Sequence, residues 1–272
     1  MRVLRDGATG AVAVVDGEVT GYLLGASKPS PTWGQNVWIE PAGHAVTEPE
    51  TVRDLYARAA QRWSAAGLDA HYAMVPAHDA AVVDSWFRLG FGQQHVHAVR
   101  DVPAETPPPP AGVTIRLATR ADIPRLAELD LELPRHQGQS PVFSSGGMPT
   151  LQEAVDDWED SFDDEGFAYL VAEHEGEVVG AAVGCALEKS SSHPPMTRPD
   201  HAGFLGFAAV LPAARGLGAG RALGEAVLTW TRDEGFTSAA TDWRATNLLS
   251  SRTWPRLGFR PTFLRLHRHL GY

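Results

Sequence analysis

Gly203-Phe204-Leu205-Gly206-Phe207-Ala208-Ala209-Val210-Leu211-Pro212-Ala213-Ala214-Arg215-Gly216-Leu217-Gly218-Ala219-Gly220-Arg221-Ala222-Leu223 is the stretch whose reading decides the fold. Residues 203–210 form an apolar run of strand length, and residues 219–234 form an Ala/Leu-rich helical pattern. A glycine-rich turn joins them and opens directly into the helix. Such a turn aims unpaired backbone N–H groups at one spot, the helix dipole adds positive potential there, and glycine lets an anion come close. The stretch predicts a phosphate or pyrophosphate site. It is not the P-loop pattern, because no Gly-Lys-Ser/Thr follows. Nor is it G-x-G-x-x-G, since the glycines run Gly216-x-Gly218-x-Gly220 and lie late in the chain. A tight turn of purely structural use stays open on spacing alone.

Working outward, residues 238–244 read as a strand, 247–257 as a short helix and 263–269 as an alternating last strand. Upstream, 113–117 alternates as a strand and 121–137 reads as a helix with Asp122 in its first turn. Leu151, Val155, Trp158 and Phe162 make one apolar helical stripe. Residues 167–173 and 178–187 read as a hairpin across His174-Glu175-Gly176-Glu177. The order is mixed α/β. Before it, Pro107 to Pro110 form a stretch that favours extended polyproline II, a semi-rigid spacer. The expected organisation is therefore a domain at 1–100, a linker at 101–112 and a domain at 113–272.

The first segment reads as a hairpin (10–15 and 18–24), a strand at 36–40, a helix at 50–66 with Leu55, Ala59 and Trp63 in the core, a strand at 71–75, a helix at 79–89 and a strand at 95–99. It shares a signature with the second. Ser85-Trp86-Phe87-Arg88-Leu89-Gly90-Phe91 matches Thr253-Trp254-Pro255-Arg256-Leu257-Gly258-Phe259 at an offset of 168 residues, and Asp79 stands opposite Asn247 at the same offset. Each match closes a helix on a glycine and sends an aromatic into the next strand. The shared strand–helix–strand context argues for internal duplication.

Composition narrows the function. The chain has 272 residues, 43% of them hydrophobic, enough for a sizeable core. Its formal charge of −10 argues against nucleic acid, whose binding needs Lys and Arg to neutralise phosphates. A single cysteine, Cys185, rules out an intramolecular disulfide and a cysteine-built zinc site. The histidines show no metal-ligand spacing such as H-E-x-x-H. No apolar run reaches the length that spans a bilayer, and the N-terminus carries no signal-peptide pattern. A cytoplasmic protein is the expectation, with no membrane and no metal.

The turn and its surroundings resemble motif A of the GCN5-related N-acetyltransferases, Arg/Gln-x-x-Gly-x-Gly/Ala, here Arg215-x-x-Gly218-x-Gly220 after Val210-x-Pro212. The family's motif B, an Asn followed by a helix ending in Gly-Phe, is matched by Asn247 and Leu257-Gly258-Phe259. The opening Ile115-Arg116-Leu117-Ala118-Thr119-Arg120-Ala121-Asp122 is similar to the family's first strand and helix start. The resemblance covers residues 113–272. It implies two acetyltransferase-type domains, each a mixed central sheet flanked by helices, with acetyl-CoA as co-substrate. It also implies that the backbone of Ala208, Ala209 and Val210 pairs with the pantetheine arm, that Arg215 and the amides of Gly216, Leu217, Gly218, Ala219, Gly220 and Arg221 hold the pyrophosphate, and that Asn247 contacts the cofactor near the thioester. By its own chemistry Asn247 is also an N-cap for its helix.

The sequence departs from the family in two places. Trp254 stands where many members carry a Tyr that protonates the departing thiolate, and residues 203–210 carry no carboxylate base. Asp242 and His201 are the candidate bases nearby. The stretch 153–165 carries eight carboxylates, a solvated face that also suits a cationic amine. The first segment has no Gly-rich turn before Thr51 and no room for the first strand and two helices, so it reads as a degenerate, truncated copy. The implied function is transfer of acetyl from acetyl-CoA to a small-molecule or protein amine by direct transfer in a ternary complex. The alternative is a non-catalytic acyl-CoA-binding or sensor module. An open sheet edge in the first segment offers pairing in a homodimer.

Overall fold

The computed structural model describes residues 7–28, 33–144, 146–190, 193 and 195–271, so residues 1–6, read above for a signal segment, lie outside it. The chain divides into two compact units: Met1–His97, Pro194–Thr197 and Pro261–Tyr272 form the first, and Ala98–His193 with Arg198–Arg260 the second. The last segment of the chain thus belongs to the first unit, and the polyproline stretch to the second.

The first unit runs β1 (Thr9–Val15), β2 (Glu18–Gly25), β3 (Asn36–Ile39), β4 (His44–Val46), α1 (Thr51–Ala65), β5 (Ala70–Pro76), α2 (Ala80–Arg88) and into β6 (Gly92–Asp101). The second holds β7 (Val113–Leu117), α3 (Ile123–Gly138), α4 (Leu151–Ser161), β8 (Phe167–His174), β9 (Glu177–Ala186), β10 (Ala202–Val210), α5 (Ala219–Asp233), β11 (Ser238–Arg244) and α6 (Leu248–Arg256), and β12 (Arg260–His269) then returns to the first.

In the first unit β1, β2 and β4 make a small antiparallel sheet, and β3-β5-β12-β6 follow one another in the larger one. β5 is paired on both sides, parallel to β3 and antiparallel to β12 from Phe263 opposite Pro76 to His269 opposite Ala70. α1 packs on β1 and β2 and buries Val52, Leu55, Tyr56, Ala59 and Trp63, with Tyr56 and Trp63 reaching the His71 ring of β5. His44 and His71 are buried here too. The His71 ring lies 2.8 Å from both Tyr56 Oη and the Leu68 carbonyl, and His44 Nε2 lies 3.2 Å from the Met74 carbonyl. Burial holds both imidazoles below the ordinary histidine value of 6.5. Above that value both states are neutral. As pH falls through it the unfolded chain takes up protons first, so stability is lost on acidification. Hydrogen exchange in β5 is expected to accelerate steadily between about pH 7 and about pH 5, beyond the intrinsic pH dependence of exchange.

The second unit orders its strands β11-β10-β9-β8-β7, antiparallel except for β10 on β11. α5 lies close against β10 because Gly203 has no side chain: a Cβ there would stand 2.5 Å from Thr231 Cγ2. α3 buries Ile123, Leu126, Ala127, Leu129 and Leu131 against Ala154 and Trp158 of α4 and Val171 and Ala181 of the sheet. Its entry is pinned by Asp122, which takes two hydrogen bonds from Arg116 at 2.7 and 2.9 Å and one from the Thr119 N–H at 2.7 Å. The Arg116 guanidinium holds this carboxyl down at about 2. That stabilisation is present above the ordinary carboxylate range and fades as pH falls toward 2. Asp122→Ala is expected to cost about 2 kcal/mol at neutral pH in a denaturant titration, from the lost cap and charge-assisted bonds.

The polyproline stretch is docked. Thr106 Oγ1 lies 2.6 Å from Thr229 Oγ1, Arg232 donates to the Ala104 carbonyl at 3.2 Å, and Pro110 lies so close to Gly218 that a Cβ there would stand 3.1 Å from its Cγ. The Pro110 carbonyl accepts from the Val113 N–H at 3.1 Å, which closes the stretch onto β7.

Two helix ends are closed by arginines in the same way. Arg268 of β12 donates to the Leu89 carbonyl that ends α2, at 2.6 Å, and Arg100 of β6 donates to the Leu257 carbonyl that ends α6. Arg100 and Arg268 are 168 residues apart, as are Leu89 and Leu257.

Candidate active site

β10 is where the sheet opens. Toward β9 it pairs as far as Val210 opposite Gly180, whereas toward β11 its register ends at Leu205 opposite Thr241. A bulge between Leu205 and Phe207 turns the strand at Gly206. The backbone of Phe207, Ala208, Ala209 and Val210 therefore presents a free edge on the β11 side, able to accept an added strand. Leu211 then returns to the Val179 carbonyl at 2.9 Å, and Pro212–Ala214 make one tight turn.

Gly216 (φ 92°) and Gly218 (φ 83°) both need the left-handed conformation. Gly218 is the N-cap of α5 without contributing any side chain, which leaves the first amides of the helix without intrahelical acceptors. Gly220 stands in that first turn, and a Cβ there would make only ordinary contact with Val210 at 3.5 Å.

These parts share a cavity of about 420 Å³. Ala208, Ala209, Val210, Arg215, Gly216, Gly218, Ala219, Gly220, Arg221 and Asn247 line it, joined by Leu249, Ser250, Thr253, Trp254 and Arg256 near α6 and by Glu132, Leu133 and His136 from α3. Leu217 sits on the turn outside the lining and is exposed. Arg215, Arg221 and Arg256 bring positive charge to this cavity in a chain whose formal charge is −10. Cys185 lies elsewhere, buried in β9, with its thiol pushed up to about 11 by burial.

Asn247 is buried and caps α6, its Oδ1 accepting from the N–H groups of Leu249 and Ser250 at 3.1 and 3.3 Å. Trp254 is both wall and packing, with its ring against Gly224 of α5. Asp242 lies on β11, 3.6 Å from His193 Nδ1, and His201 sits in a turn with Nε2 3.1 Å from the Gly235 carbonyl. Neither lines the cavity.

Among the lining residues that sequence reasoning passed over are Glu132 and His136. They are spaced i, i+4 on one face of α3, with Glu132 paired to Arg135 at 2.8 Å and His136 Nε2 3.2 Å from Asn247 Oδ1. α3 also carries Arg125, Glu128, Asp130 and Arg135, so its sequence did not single this pair out. All eight carboxylates of 153–165 are exposed and line no part of the cavity. Among the described residues, no helix is long and apolar enough to cross a membrane.

Residues 133–259 match the model of the acetyltransferase (GNAT) family. Over 150 residues the chain is 31% identical to an aminoglycoside N(6')-acetyltransferase type 1 of Stenotrophomonas maltophilia, a match spanning 55% of this chain and 87% of that protein. A GCN5-related N-acetyltransferase from Sphaerobacter thermophilus has a similar fold, with a TM-score of 0.57 at 15% identity over 94% of this chain and 79% of that one. One from Kribbella flavida gives 0.51 at 15% identity over 98% of this chain and 90% of that one. By these relationships the protein belongs to the acetyltransferase (GNAT) family and is an acetyl-CoA-dependent N-acetyltransferase.

Proposed function

We infer that the acetyl group passes directly from acetyl-CoA to a primary amine of a small molecule within a ternary complex. The observation that carries this is the unpaired edge of β10, which runs from the anion turn along the cavity wall. In this reading the amides of Gly216, Leu217, Gly218, Ala219, Gly220 and Arg221, with Arg215, hold the pyrophosphate. The pantetheine adds as a strand to Ala208, Ala209 and Val210, and the thioester lies toward Asn247. The amine arrives neutral, attacks the thioester carbonyl carbon, and C–S cleavage releases the thiol. Binding both reactants side by side supplies most of what such a reaction needs. The cavity lining holds no cysteine to carry the acetyl group, which favours direct transfer over a covalent relay. The small-molecule acceptor is supported by the relationship to an aminoglycoside acetyltransferase.

The test is thiol release from acetyl-CoA with three acceptors: an aminoglycoside bearing a free 6′-amine, a linear polyamine and a peptide with a free N-terminus. Intersecting double-reciprocal lines with a small amine are expected. Parallel lines would sink direct transfer, and turnover of the peptide alone would sink the acceptor class.

A further inference from the structure

We propose that His136 is the proton carrier of the acetyl transfer, taking the amine proton on Nδ1 while Asn247 holds its Nε2–H. The proposal rests on the direct-transfer reading above. The imidazole lines the cavity from the last turn of α3, and its Nε2 lies 3.2 Å from Asn247 Oδ1.

The helix cap assigns each atom its part. Asn247 Oδ1 accepts from two backbone N–H groups, of Leu249 and Ser250. Turning the amide over would set its NH₂ against both donors, so the atom facing Nε2 is the oxygen. An amide oxygen only accepts, so Nε2 must donate. A neutral imidazole carries one N–H, which leaves the lone pair on Nδ1. One ring nitrogen is thus tied to a rigid, buried residue and the other is left as a base. This is the relation between a catalytic histidine and the group that orients it.

The position answers a chemical gap. β10 brings no carboxylate to the cavity, and Trp254 offers only an indole N–H, too weak an acid to protonate a thiolate. A single imidazole covers both transfers. As the amine nitrogen bonds to the carbonyl carbon, its proton passes to Nδ1. As the C–S bond breaks and its electron pair leaves on sulfur, the imidazolium returns that proton to the thiolate. The products are amide, thiol and neutral His136. The charged groups that share the cavity lining with His136 are Glu132 on the same helix, paired with Arg135, and Arg215, Arg221 and Arg256.

His136→Gln keeps an N–H able to donate to Asn247 and removes the base. Its kcat is expected to fall about 100-fold. The acidic limb of its kcat/KM profile should vanish, and its acetyl-CoA affinity by calorimetry should stay within about twofold of the parent. In the parent bound to acetyl-CoA at alkaline pH, imidazole ¹⁵N shifts are expected to show a protonated Nε2 and a bare Nδ1. A Gln variant that keeps kcat within about threefold, or a ring protonated on Nδ1 instead, overturns the proposal. If the parent binds acetyl-CoA but turns over no amine, the reading of function has failed rather than this one, and the ¹⁵N measurement alone then decides where the proton sits.

Discussion

Gly220→Glu is expected to abolish measurable acetyl-CoA binding while leaving the melting temperature unchanged or raised. The two effects have opposite signs because they act on different parts of one helix end. In the first turn of α5 a glycine is a poor helix former, costing about 0.5–1 kcal/mol against ordinary residues. A carboxylate there meets the positive end of the dipole favourably. The space also permits it, since a Cβ at Gly220 makes only ordinary contact with Val210. Yet the same carboxylate occupies the anion turn and repels a pyrophosphate. Losing two charge-assisted hydrogen bonds, at about 1.5–3 kcal/mol each, weakens binding by at least about 100-fold. Calorimetric titration beside a thermal melt reads both at once. Unaltered affinity would mean that the turn is not the pyrophosphate site. Gly218 is a poorer choice for the experiment: its φ of 83° and the nearby Pro110 would confound folding with binding.

Truncation after Arg260 is expected to unfold the first unit, although everything removed lies at the opposite end of the sequence. β5 would lose its whole antiparallel partner, from Phe263 to His269. The core would lose Leu264 and Leu266, the latter fully buried, and α2 would lose the Arg268 cap on the Leu89 carbonyl. Each leucine alone is worth about 2–5 kcal/mol, against a total stability of about 5–15 kcal/mol for a domain. Hydrogen exchange in Ala70–Pro76 should therefore lose its protection in the truncated chain. Retained protection there would show that β12 merely covers a unit that stands without it.

The elements that were legible in the sequence carry their cause within a few residues. The α1 stripe of Leu55, Ala59 and Trp63 is a 3.6-residue period, and all three are buried. Asp79 and Asn247 stand before helical runs, and both cap them through the side chain. The hairpin across Glu175 and Gly176 and the left-handed glycines of the anion turn follow from backbone sterics that neighbouring residues alone dictate. The family assignment belongs with these, because motif A is itself a local strand–turn–helix device.

What the tertiary structure alone decided is where those elements go. The period of β12 says strand, and nothing in residues 260–269 says that the partner is β5 rather than another strand. The two destinations offer nearly the same local chemistry, as the matched arginine caps at Arg100 and Arg268 show. The choice rests on packing summed over a whole unit. The docking of the polyproline stretch on α5 is of the same kind. So is the meeting of His136 with Asn247, 111 residues apart. By itself the sequence determined the strands, the helices, the caps and the left-handed glycine turn, since each is set by sterics and hydrogen bonds between near neighbours. The partner of each strand and the neighbours of each cavity side chain were left to the fold, because close packing is a property of the assembled interior.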